Sequence, residues 1–129
     1  MKYLFVSGLY ADSIAETMQS ASSVPLLNAP DVFQKAILRG LVENHVDFSI
    51  IAYPFLPSYP FRYAKFIAPS AEIVYDGKKV GLSDKFNTFF LFKNNSVRRR
   101  LYCYVKKWIK QNGITKNDDF AILTYTPYD

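Results

Sequence analysis

Two short runs rich in β-branched and aromatic residues, KYLFV at 2–6 and VDFSIIAY at 46–53, flank a helix-patterned segment at 28–44. No other feature constrains the fold as strongly. Strands joined through a helix run parallel, because the long crossover returns the chain to the same end of the sheet. That crossover is right-handed in nearly all proteins. The expected class is α/β, an open and mostly parallel sheet flanked by helices. The 129 residues suit one domain with a proper hydrophobic core.

Within the helical segment, Asn28 stands where a cap belongs and Pro30 suits the first turn. The charge of Asp31 favours the helix N-terminus. Phe33, Ala36, Ile37, Gly40 and Leu41 recur on one face, and Asn44-His45 closes the helix, His45 serving as a polar cap. Residues 9–28, rich in Ala and Ser, form a long loop with room for a short helix at 13–18; loops of this length often carry function. PFLPSYP at 54–60 holds three prolines and excludes regular structure. Runs at 72–75 and 79–82 flank Asp76-Gly77, a tight hairpin signal. NTFFLF at 87–92 reads as a buried strand. Ser96 then caps a helix whose apolar face is Val97, Leu101, Tyr104, Val105, Trp108 and Ile109, and Gly113 stops it. DFAILT at 119–124 reads as a further buried strand. A parallel sheet calls for another covering element after it, so residues 1–129 are expected to be a single incomplete domain.

Charge is distributed unevenly. Six of the 16 basic residues, and none of the 11 acidic ones, lie between Ser96 and Asn112: Arg98, Arg99, Arg100, Lys106, Lys107 and Lys110. The rest of the chain holds ten basic against 11 acidic residues, so the net charge of +5 comes from this segment. Such a patch suits an anionic partner. Lipid headgroups are the expected one, each basic residue at the surface contributing about 1 kcal/mol, and nucleic acid is not expected.

No run approaches the roughly 20 apolar residues of a spanning helix, and the stretch after Lys2 is too short for the core of a signal peptide. The single cysteine, Cys103, excludes an internal disulfide and is expected as a small core residue. A cytoplasmic location follows as an expectation, peripheral on the inner face of the plasma membrane. No Gly-x-Gly-x-x-Gly, catalytic triad or metal-ligand spacing is present, so neither cofactor nor metal is expected. Asp118-Asp119 reads as a strand boundary rather than an acid–base pair.

NAPDVFQKAILRGL at 28–41, followed by VDFSIIAYPFLPSYP at 46–60, resembles the start of bacterial family-4-type glycosyltransferases of the two-Rossmann-domain (GT-B) class. In such enzymes a long loop follows the first strand, and the next helix begins near an Asn-Ala pair and carries Phe-Gln. The second strand then runs into a Pro-Ser-Tyr-Pro loop, here Pro57-Ser58-Tyr59-Pro60. The resemblance covers nearly the whole chain but only the first third or so of such an enzyme. It implies a Rossmann-like N-terminal domain on the acceptor side, with a Glu-x7-Glu motif and the nucleotide-sugar donor belonging to a second domain. The implied activity moves a sugar from that donor to a lipid-linked or saccharide acceptor in cell-surface polysaccharide (capsule) synthesis. These residues alone are expected to be inactive. Two departures stand out: Leu9 follows Gly8 where many relatives carry paired glycines, and Tyr125-Thr126 replace a histidine at the last strand end.

The candidate acceptor-side residues follow from strand ends, where open α/β sheets bind ligands. They are Gly8 and Leu9 after the first strand, Asn28 at the helix start, Ser58 and Tyr59 after the second strand, and Tyr125 and Thr126 after the last. No catalytic residue is assigned. Arg98, Arg99, Arg100, Lys106, Lys107 and Lys110 are the membrane-contact candidates. The rival class is a stand-alone basic module for membrane or nucleic acid.

Overall fold

A computed structural model describes residues 2–115 and 118–125. The elements are β1 (Lys2–Ser7), α1 (Asp12–Ala21), α2 (Asn28–Glu43), β2 (Phe48–Ala52), β3 (Ala71–Tyr75), β4 (Lys78–Ser83), α3 (Lys93–Gln111) and β5 (Phe120–Thr124). The sheet order is β3-β4-β2-β1-β5, and every neighbouring pair is parallel except β3 with β4. The fold is therefore α/β, a mixed but mostly parallel Rossmann-like sheet. From β1 the sheet grows through β2 to β4. After α3 the chain adds β5 to the opposite edge of β1. The order thus reverses at β1, and crevices for ligands form at such reversals.

Helices cover both faces, which explains why the strands read as near-continuous apolar runs. Side chains alternate along a strand. Leu4, Ile51 and Tyr53 pack with Met18 of α1 and Trp108 of α3. Phe5, Ile50 and Ala52 cluster with Leu38 of α2 and Ile73 of β3. Gly81 of β4 lies so close to β2 that a Cβ would stand 2.2 Å from the Ile50 carbonyl oxygen. The Asp76-Gly77 turn has both φ angles positive, 52° and 77°, as a two-residue type I′ hairpin requires.

Several sequence expectations are corrected. The first short helix runs over Asp12–Ala21. Asn28 is the first residue of α2 and no side chain caps that end; the buried positions of the helix are Asp31, Gln34 and Leu38, while Phe33 is 53% exposed. His45 acts through its backbone. At φ 54° it forms the left-handed residue of a Schellman ending, with Val46 N–H donating to Leu41 O and His45 N–H to Val42 O. Gly113, at φ 62°, ends α3 with the same pair of bonds. The helix α3 begins at Lys93, and the Ser96 hydroxyl accepts the Asn87 N–H instead of capping. Residues 87–92 make isolated bridges and a turn, not a strand. Residues 120–124 are a strand, but largely exposed rather than buried. Cys103 is exposed on α3, not in the core.

Candidate functional site

A cleft of about 930 Å³ opens at the C-terminal ends of the parallel strands. Its floor includes Val6 and Ser7 of β1, Tyr53 just after β2 and Tyr125 just after β5. One wall is the 54–62 loop, a second is the segment 24–27, and the third is the first turns of α3. Most of the lining is apolar, from Leu26, Leu56, Phe61, Phe86, Val97 and Leu101. Among the described residues the charged members of the lining are Arg62, Lys93 and Arg98, and none is acidic. Arg62 and Arg98 form no ion pair among the described residues. Lys93 donates to Leu56 O at 3.1 Å, and burial holds its ammonium below the usual lysine range. Ser7 is 4% exposed, and its hydroxyl has no partner among the described residues.

The loop after β1 is built differently from the expectation of an open ligand loop. Gly8 N–H donates to Gln34 Oε1 at 2.7 Å, and Tyr10 N–H donates to Asp31 Oδ1 at 2.7 Å. The first turns of α2 thus satisfy the loop's backbone from within, and Gln34 completes its own bonding through Pro30 O. Asp31 is in turn held by Lys35, which also reaches Asp12. Gly8 lies against protein rather than an open crevice: a Cβ there would overlap the tip of the Phe55 ring, which would have to shift. Leu9 is a core residue. Asn28 borders a smaller hollow of about 370 Å³ that shares Leu26 and Leu27 with the cleft.

Of the other candidates, Ser58 and Tyr125 line the cleft, Tyr125 with its ring 5.3 Å from that of Phe33. Tyr59 packs its ring against Phe66 and Phe89 and does not line the cleft. Thr126 lies outside the described residues.

The arginine triplet does not act as one patch. Successive helical residues point about 100° apart, so three in a row take three directions. Arg98 lines the cleft, while Arg99 is exposed. Arg100 grips Asp84 with Nε–Oδ2 at 2.8 Å and Nη2–Oδ1 at 2.9 Å. The Tyr53 hydroxyl donates to the same carboxylate at 2.9 Å. This triad pins α3 to the strand ends. Burial first, then the bond to Asp84, pushes the Tyr53 phenol far above its ordinary range, and the bond to Asp84 raises Arg100 further. Lys106, Lys107 and Lys110 are exposed farther along α3, with Lys106 4.8 Å from the Tyr102 ring centre.

Sequence reasoning missed Ser7, Arg62 and Lys93. A signal for Ser7 was its position as the last residue of a strand beside a topological reversal. Arg62 and Lys93 carried none, since each lies in a stretch whose path only the tertiary contacts define. Among the described residues no cluster of three or more His, Cys, Asp or Glu could hold a metal, and no helix is long and apolar enough to cross a membrane. No protein-family model, curated protein or solved structure matches the chain.

Proposed function

We propose that these residues form the acceptor-binding part of a glycosyltransferase, with the nucleotide-sugar donor held by a second domain. The observation that carries the reading is the strand-end cleft, apolar along its walls, with Arg62, Lys93 and Arg98 and no acidic residue among the described residues of its lining. That composition suits an amphipathic anion, and a lipid-linked acceptor joins an apolar tail to a phosphate. Among the described residues the lining offers no carboxylate or imidazole to take a proton from an attacking hydroxyl, in keeping with a role in binding and positioning.

The test is titration of the chain with a soluble short-chain prenyl phosphate, followed by amide NMR shifts. The expected result is saturable shifts at Ser7, Ser58 and Val97, with affinity reduced about tenfold by Arg98→Glu, a loss typical of a charged hydrogen bond. A nucleotide sugar should leave the spectrum unchanged, and the chain alone should transfer no sugar. Absence of binding by prenyl phosphate and oligosaccharide alike refutes the reading. Retardation of DNA at physiological salt would favour the basic-module class instead.

A further inference from the structure

The loops on either side of the β3–β4 hairpin, 54–70 and 84–92, are fastened into one body. Tyr59 N–H donates to Thr88 O, Phe90 N–H to Tyr59 O, Thr88 N–H to Phe66 O, and Ala68 N–H to Phe86 O, all at 2.8–3.1 Å. The Thr88 hydroxyl, itself fully buried, adds a bond to Lys65 O. On this rigid base stand Phe61, Phe66, Phe90, Leu91 and Phe92, of which the least exposed, Phe90, is 46% open to solvent. Their rings are continuous: Phe61 meets Phe90 at 5.0 Å, Phe89 joins Phe90 to Phe92, and Tyr59 links Phe89 to Phe66. Contiguous exposed apolar surface of this kind marks an interaction site. The backbone beneath is too well bonded for the cluster to fold inward.

The surrounding charge identifies the partner. Residues 54–71 and 85–115 contain no Asp or Glu, yet they hold Arg62, Lys65 and Lys85 besides the seven cations of α3, of which Lys93 stands at its start and Arg100 is paired with Asp84. The helix α3 starts immediately after Phe92. An apolar aromatic cap flanked by Arg62, Lys65, Lys85 and Lys93, with Asp84 at the start of its second loop buried and held by Arg100, matches the layering of an anionic bilayer, with acyl chains inside and phosphates outside. We infer that this platform docks the protein on an anionic membrane surface, its phenylalanines entering the headgroup–acyl boundary. Phe61, Arg62 and Lys93 belong both to the platform and to the cleft lining. Docking therefore sets the cleft mouth against the membrane. The inference deepens the acceptor reading by specifying where a lipid-borne acceptor enters. The docking itself rests on independent observations.

The experiment uses vesicles without acceptor, so docking and acceptor binding fail separately. Flotation is measured with phosphatidylcholine vesicles and with mixed phosphatidylglycerol–phosphatidylcholine vesicles. The expected partition coefficient is at least tenfold higher on the anionic mixture. Phe61→Ser and Phe92→Ser should each lower it about tenfold at any salt concentration, because each removes a buried ring. Lys65→Gln with Arg99→Gln should lower it only at low salt, because screening removes the electrostatic part. A Phe61→Trp variant reads insertion directly through quenching by brominated lipids. Equal weak binding to both vesicle types overturns the inference. So does unchanged binding by Phe→Ser variants with native circular dichroism. Patch-dependent self-association of the chain without vesicle affinity would assign the surface to a second copy and equally overturn it.

Discussion

Tyr53→Phe probes the triad that joins the cleft floor to α3. The substitution removes the hydroxyl that donates to Asp84 and leaves the ring in the core, with Asp84 still held by Arg100. A hydrogen bond to a charged group contributes about 1.5–3 kcal/mol. The lower end applies here, because the Arg100 side chain is 40% exposed and water reaches part of the triad. At pH 7 the variant should therefore lose about 1.5 kcal/mol. The pH dependence separates this loss from one of packing. The folded protein keeps the Tyr53 proton well above the ordinary phenol value of 10.0. Above that pH the unfolded chain releases the proton and the folded chain retains it. The stabilisation is thus complete below pH 10 and drains as pH rises, by about 1.4 kcal/mol per pH unit. The variant has no such proton, so its curve falls less steeply, and the two curves should meet about one pH unit above 10. Tyr63 and Tyr104, also raised by burial, are common to both proteins and cancel in the difference. Urea unfolding followed by Trp108 fluorescence from neutral pH to about pH 11.5 measures both curves. Parallel curves would refute the reasoning.

Three further outcomes are expected. Gln34→Leu strands the buried Gly8 N–H and should cost about 2 kcal/mol, with faster hydrogen exchange at Gly8 as the local signature. His45→Gly relieves a left-handed residue in a Schellman ending and should stabilise by about 0.5–1 kcal/mol, read as a higher thermal midpoint. Gly81→Ala drives a methyl into the Ile50 carbonyl at the β2–β4 junction and should cost about 3 kcal/mol, read as a lower urea midpoint.

The local elements were legible because their signals are local. Alternation and β-branching marked β1 and β2, Asp76-Gly77 marked the hairpin, and Gly113 marked the end of α3. The cleft lies at strand ends, where the β-α-β order placed it, and lining it are Ser58 and Tyr125, expected there, and Arg98, expected instead at a membrane surface. Nothing in the sequence marked Asp31 and Gln34 as buried, since both are polar and neither belongs to the apolar set of Phe33, Ala36, Ile37, Gly40 and Leu41. They are buried because the loop after β1 turns its N–H groups toward them.

From residue order alone came the α/β class, the parallel crossover and the concentration of positive charge on one helix. These depend on periodicity and composition within single segments. Tertiary structure alone decided that 87–92 pairs as a bridge and turn, leaving Phe90 and Phe92 in solvent, and that β5 joins β1 with much of its surface exposed. It also decided that three adjacent arginines serve a cleft, the solvent and a buried carboxylate. Those outcomes depend on which distant segments meet, and burial is a property of the meeting rather than of either segment.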